Sequence, residues 1–396
     1  MFALAAQSVP AAAQISDGTV KIGVLNDQSG IYADFSGRGS VVAAELAVED
    51  FGGTLNGKKI EVLSADHQNK ADLASAIARE WIESKGVDAI VDLTTSAVAL
   101  AVQQITNQHD KALLISSASN TDLTGKCCSP NTVHWGYDSY GISSVAATAG
   151  EEPGGSWFFI TGDWTGGHAQ EAQARLFVER AGGKVIGSIR HPANAPDFSS
   201  YLLKAIDSKA LFIGLANAGA DSINALKQGA EFNISRRGQR VVPLLLFITD
   251  VHALGLPAAQ RIKLATTFYW DRTDETRAWS KRYMARMNGN APTMAQAGAY
   301  TLVLHYLKSV AAAQSNSGKA AVAQMKKTPV TDALWKDVVI REDGRSLNDI
   351  YLVEVKTLNE SKYPWDYYTI LKTVPGEQAF RPLADGNCPM VQAKAK

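Results

Sequence analysis

Apolar residues in this chain follow two alternating rhythms. Short continuous runs, TVKIGVL (19–25), KIEVLSAD (59–66), VDAIVDL (87–93) and ALLIS (112–116), predict buried strands. Between them the apolar positions come at helical spacing: Val41, Ala44, Val48 and Phe51, then Leu73, Ala76, Ile77 and Trp81, then the stretch 97–108. Strand and helix in alternation predict a parallel sheet covered by helices on both faces. Residues 123–141, LTGKCCSPNTVHWGYDSYG, break the rhythm with turn-forming Gly, Pro and Asn, and predict a first crossing between two domains.

The rhythm then restarts. SWFFITG (156–162), KVIGSIR (184–190), ALFIGLA (210–216) and VVPLLLFI (241–248) predict strands, separated by helices over 169–181, 197–207 and 221–232. After RIKLATTFYWD (261–271) come three helical stretches, 273–287, 293–314 and 319–327. Strands are expected again at 338–342, 349–356 and 366–374, where alternating polar residues suit edge or antiparallel pairing. The expected fold class is therefore α/β, with two Rossmann-like lobes that each hold a sheet flanked by helices.

Composition narrows the function. At 396 residues the chain fits two domains better than one. Its formal net charge is zero, which argues against a nucleic-acid partner. No apolar run is long enough for a transmembrane helix. The N-terminal FALAAQSVPAAAQ is apolar and small-residue-rich, with Ala-x-Ala at 11–13, and is expected to be a signal-peptide remnant or a disordered tail within 1–18. The three cysteines are Cys127, Cys128 and Cys388. In an exported protein Cys388 pairs with one of the adjacent two, with Cys128 preferred; in a cytoplasmic one all stay thiols.

In open parallel sheets, ligands bind beyond the carboxyl ends of the strands. Those ends here carry Thr94-Thr95-Ser96, Ser116-Ser117-Ala118-Ser119, Thr161 through His168, Ala216-Asn217-Ala218-Gly219, and Thr249-Asp250. Most run straight into a helix, whose N-terminal N–H groups and dipole suit a carboxylate. Helix capping uses the same residue types, but their recurrence in both halves points to a cleft between lobes. Tyr32, Phe35, Trp164 and the pair Tyr269-Trp270 are the aromatics placed to clamp a ligand body, and His168 either binds ligand or caps its helix. Catalytic motifs are missing: there is no G-x-S-x-G and no H-E-x-x-H. GGTLNGKK (52–59) has Lys where a P-loop needs Ser or Thr, and reads as a surface turn. No enzyme activity, cofactor or metal is expected.

The stretches KIGVLNDQSGIYADFSGRGSVVAAELAVED, LTTSAVALAV, LLISSASNTDLTG and ITGDWTGGHAQEA resemble the periplasmic substrate-binding proteins of ABC transporters, in the branched-chain amino-acid (leucine/isoleucine/valine) group. LLFITDVHALG, FYWDRTDETRAWSKRY and PTMAQAGAYTLVLHYL resemble a branch of it associated with aromatic acids. The resemblance implies a periplasmic receptor with three hinge crossings. Its lobes are expected over 19–137 plus 270–345 and over 138–269 plus 346–390. It implies a small hydrophobic carboxylate as ligand, either an aromatic acid such as a benzoate or phenylpropenoid derivative or a branched-chain amino acid, a membrane ABC permease as partner and a monomeric chain; a soluble ligand sensor of the same fold is the second reading. By motif position, Thr95 and Ser96, then Ser117, Ala118 and Ser119, would hold the carboxylate. Phe35, Trp164 and Tyr269 would pack on the ligand body. Asn217 and Asp250 would read polar groups, Asp250 lying near the acid that meets the ligand ammonium in amino-acid binders. Gly166 stands where a second aromatic is usual, which leaves room in the pocket.

Overall fold

The computed structural model describes residues 19–146 and 154–393. The N-terminal stretch read as a signal remnant lies outside the described residues. The chain order is β1 (Lys21–Asn26), α1 (Gly37–Phe51), β2 (Thr54–Leu55), β3 (Lys58–Lys59), β4 (Glu61–Asp66), α2 (Ala71–Glu83), β5 (Ala89–Asp92), α3 (Ser96–Gln108), β6 (Ala112–Ile115), β7 (Thr132–His134) and α4 (Ser139–Ala146). It continues with β8 (Ser156–Gly162), α5 (Thr165–Arg180), β9 (Lys184–His191), α6 (Ser199–Asp207), β10 (Phe212–Ala216), α7 (Ala220–Glu231), β11 (Arg240–Pro243), α8 (Ile248–Leu254), α9 (Leu256–Ala259), β12 (Lys263–Thr266), α10 (Asp274–Arg286), α11 (Met294–Ala313), α12 (Gly318–Lys327), β13 (Ile350–Val355) and β14 (Tyr368–Val374).

Two parallel sheets carry the lobes. The first has the order β4-β1-β5-β6-β7 and the second β11-β10-β8-β9. In the first, β5 and β6 are buried along their whole length, as strands with helices on both faces must be. A third, antiparallel sheet, β12-β13-β14, stands beside the second. The alternating polar residues of 349–356 and 366–374 thus do mark antiparallel strands.

Three expectations are corrected. The segment 123–141 holds more than a crossing: it contains β7, the fifth strand of the first sheet, and leads into α4. Three strand residues among turn formers leave no readable period. The apolar run 241–248 is a strand only to Pro243, which pairs with Leu215 of β10, and α8 starts at Ile248. Residues 338–342 form no continuous strand; Val338 and Ile340 make only isolated bridges, to Val330 and Ser346.

The crossings between lobes run side by side. His134 bridges Arg345, Gly136 N–H donates to Ser346 Oγ (3.2 Å), and Asn348 Nδ2 donates to Gly136 O (2.9 Å). Gly136 also faces Thr267, and its φ of +75° is a left-handed conformation that Gly adopts without strain. At the centre of this bundle sits Arg345, fully buried, with Asp138 3.6 Å away and the Phe380 ring under its guanidinium.

Cys128 and Cys388 form a disulfide across 260 residues of sequence, which leaves Cys127 free and exposed. A link of that span removes much of the freedom of the unfolded chain. Replacing both residues by Ser is expected to lower unfolding free energy by about 2–4 kcal/mol. Urea melts of the oxidised protein and the variant measure this; coincident midpoints would contradict it.

Candidate functional site

The strand ends of the two parallel sheets meet across one cleft. Its walls include Tyr32, Phe35, Thr94, Thr95, Ser96, Ser117, Ser119 and Tyr137 on one side. Trp164, Gly166, Gly167, Gln170, Asn217, Leu245 and Phe247 stand on the other. It encloses about 470 Å³ of empty space, part of it open to solvent.

The carboxyl end of β5 shows how the chain builds one wall. Asp92 and Leu93 both take positive φ, +87° and +63°. This is an unfavourable backbone for residues other than Gly, and it must be held by its surroundings. Asp92 is held by Asn26 Nδ2 (2.8 Å) and Ser116 Oγ (2.8 Å), both donating to its carboxylate. The bend aims Thr94-Thr95-Ser96 at the cleft. Thr94 Oγ1 is used structurally, accepting from Asp27 N–H (3.0 Å) and bonding Ser36 Oγ (2.9 Å).

The next two residues are different. Thr95 stands at the N-cap of α3 but its side chain makes no cap hydrogen bond. Its Oγ1 is buried without a partner, and so is Ser117 Oγ. Buried hydroxyls are nearly always paired, and both of these residues line the cleft. On the opposite wall α5 begins at Thr165, again with no side-chain cap. A Cβ placed on Gly166 would lie 3.5 Å from both Ser96 Oγ and Ser119 Oγ. Two helix starts, one from each lobe, therefore face each other over a row of hydroxyls, each with free N–H groups and the positive end of its dipole.

Among the described residues, no Asp, Glu, Lys or Arg lines the cleft. At its aromatic end Phe35 stacks on Phe247 with centroids 3.7 Å apart, and Tyr137 meets both edge-on at 6.2 and 6.4 Å. Tyr137 also donates its hydroxyl to Ser117 O (2.5 Å), which joins the hinge to the hydroxyl row.

Of the residues singled out in the sequence, Phe35, Thr95, Ser96, Ser117, Ser119, Trp164 and Asn217 come together here. Four do not line the cleft. Ala118 is buried behind it, its carbonyl bonded to His134 Nε2 (2.7 Å). His168 turns to the surface and pairs with Asp163 (2.8 Å). Asp250 caps α8, accepting from Phe247 N–H (2.9 Å); burial pushes its carboxyl up to about 7, with Asp34 adding to the rise. Tyr269 packs on Tyr368 at 5.2 Å in an aromatic cluster with Trp270. Tyr137, Gln170, Leu245 and Phe247 also line the cleft, beyond what the sequence pattern points to. Phe247 closes a run that reads as strand, and Tyr137 sits in the turn-rich crossing, so neither carried a signal.

A family described as periplasmic binding protein matches residues 19–362. The chain belongs to that family. Like its other members, this periplasmic binding protein is the small-molecule-binding component that works with an ABC permease. It is similar to a periplasmic binding protein of Burkholderia mallei, with 44% identity, a TM-score of 0.90, and coverage of 94% of this chain and 99% of that one. It is also similar to a branched-chain amino acid ABC transporter periplasmic ligand-binding protein of Burkholderia xenovorans LB400, at 38% identity and a TM-score of 0.84, over 94% and 99% of the two chains. A solute-binding protein of an ABC transporter from R. palustris, solved in complex with benzoate, shares the fold at 19% identity and a TM-score of 0.78, over 90% and 96%. The expected fold class, two lobes with parallel sheets flanked by helices in the type I arrangement, is thus the observed one.

Proposed function

We propose that this protein is the exported, non-catalytic receptor of an ABC importer, and that it carries a small hydrophobic carboxylate lacking an ammonium group, an aromatic acid of benzoate or phenylpropenoid type. The observation that carries this reading is the pairing of unpartnered hydroxyls, Thr95 Oγ1 and Ser117 Oγ, with two uncapped helix starts in a cleft free of charged side chains. A carboxylate gains hydrogen bonds and two dipole ends there. An ammonium finds no carboxylate, since Asp250 lies outside the lining and is only partly ionised near neutral pH. The aromatic group Phe35, Tyr137 and Phe247 suits a planar apolar body. The chain acts as a monomer that presents its closed form to the permease. Its first lobe is 19–137 plus 270–345 and its second 138–269 plus 346–390, a division supported by the packing of α11 on α1 and of α4 on β12 and β13.

Thermal-shift assays test the charge requirement. Benzoate and cinnamate are expected to raise the melting temperature, because they bind only the folded form, while benzamide and cinnamamide leave it unchanged. Equal shifts from acid and amide would remove the carboxylate from the account. Within the site, Thr95→Val keeps the shape and deletes the hydroxyl. It is expected to weaken binding of the acid by roughly tenfold, and to leave the unliganded protein as stable or slightly more so, because an unpaired buried hydroxyl is lost. Calorimetry and urea melts on the same preparation read both effects, and a large stability loss with unchanged affinity would assign Thr95 a structural role.

A further inference from the structure

His191 is buried and does not line the cleft, yet it touches two residues that do. Its Nδ1 lies 2.9 Å from Pro192 O. A carbonyl can only accept, so Nδ1 carries the proton, and in the neutral ring Nε2 is a bare acceptor. Burial holds the ring neutral by lowering its pKa, against the smaller upward pulls of the Pro192 carbonyl bond, Asp221 on α7 and Asp163 beyond β8. Asn217 Nδ2 sits 3.0 Å from Nε2 and must donate to it. At the other end of the same amide, Ser222 Oγ donates to Asn217 Oδ1 (2.7 Å). The amide is therefore clamped at both ends, with its oxygen accepting from Ser222 and one N–H committed to His191, and that fixes which end is the donor. The second N–H has no protein acceptor among the described residues, and Asn217 stands in the cleft wall. The His191 ring also meets Trp164 edge-on at 5.5 Å, and Trp164 begins the α5 wall.

We infer that His191 is a positioning residue for ligand selectivity: by fixing its own tautomer through Pro192 it turns the Asn217 amide so that the second lobe's wall offers a hydrogen-bond donor, and the cleft selects ligands that carry an acceptor oxygen on the body as well as the carboxylate. This inference rests on the carboxylate reading of the cleft. Asp221 does not disturb the relay, since its carboxylate accepts from Ala195 N–H (2.9 Å) and Asn194 N–H (3.2 Å). A ring without nitrogens, His191→Phe, keeps the packing on Trp164 and Phe198 and removes the acceptor.

Two measurements test it. The first needs no ligand: in protein labelled with 15N-histidine, His191, assigned by its loss in His191→Phe, is expected as the neutral Nδ1–H tautomer. An Nε2–H tautomer would overturn the relay. The second is calorimetry with 3- and 4-methoxybenzoate against the matching ethylbenzoates, a pair of like size that differs by one acceptor oxygen. Wild type is expected to prefer the methoxy acid. His191→Phe is expected to lose that preference by roughly fivefold or more while still binding the ethyl acid nearly as before. His191→Gln is expected to restore it, because the carboxamide oxygen can accept from Asn217. Equal weakening of both acids, or a preference that survives His191→Phe, would overturn the inference. If wild type binds none of these acids, the carboxylate reading falls and the selectivity inference with it, whereas a wrong tautomer with intact acid binding removes the relay alone.

Discussion

Gly166→Val is expected to reduce carboxylate affinity by at least about 100-fold, a loss near 3 kcal/mol. The unliganded melting temperature should stay within about 2 °C of wild type. The two effects separate because of where Gly166 sits. It is in the first turn of α5, and its backbone is outside the left-handed region, so a side chain meets no backbone strain. The Cβ alone lies 3.5 Å from the hydroxyls of Ser96 and Ser119, which is ordinary contact. The two further methyl carbons of Val must then enter the space between the opposed helix starts. That is the volume the carboxylate is proposed to fill. Calorimetry against benzoate-type acids reads the affinity and a thermal melt reads the fold. Wild-type affinity in this variant would mean that the ligand is held elsewhere.

Arg345→Ala should produce the largest loss of stability. The Arg345 guanidinium is fully buried between the crossing strands, donating to Tyr137 O (3.2 Å), Ser346 O (3.1 Å) and Ser346 Oγ (3.0 Å). Burial depresses its pKa to about 10, so it remains charged at neutral pH and balances Asp138. Asp138 in turn accepts from Gly141 N–H (2.7 Å) at the start of α4. Removing the arginine strands a buried carboxylate and two carbonyls, a change that costs about 3–5 kcal/mol. Urea unfolding measures it. The double variant Arg345→Met with Asp138→Asn is expected to recover part of the loss, because no unpaired charge then remains. An Arg345→Ala protein as stable as wild type would mean that the crossing bundle does not depend on this pair.

The alternation of strand and helix was legible because parallel strands buried on both faces are mostly apolar runs, as Ala89–Asp92 and Ala112–Ile115 are. The hydroxyl row was legible for a related reason. Small polar residues recur after such runs in both halves, and the side-chain hydroxyls of Thr95 and Ser117 have no internal partner. Asp250 shows the limit of that argument. Its position after an apolar run matched a ligand contact equally well, but the run ends early at Pro243 and the carboxylate caps α8. Capping and ligand binding use the same atoms, and sequence does not say which neighbour arrives first. Tyr137 and Phe247 were illegible because their role depends on the lobes being brought together: Phe247 stacks on Phe35, which is more than 200 positions earlier in the chain. The His191 relay is of the same kind, since His191 at the end of β9 meets Asn217 in the loop after β10 only once the sheet has formed.

The cleft is proposed to grip a carboxylate and to have no place for an adjacent ammonium. Calorimetry with matched pairs, 3-phenylpropanoate against phenylalanine and 4-methylpentanoate against leucine, tests it most directly, because each pair differs only by that group. The acid without the amine is expected to bind at least about 100-fold tighter in each pair, the cost of burying an unpaired ammonium. Tighter binding of leucine or phenylalanine would contradict it.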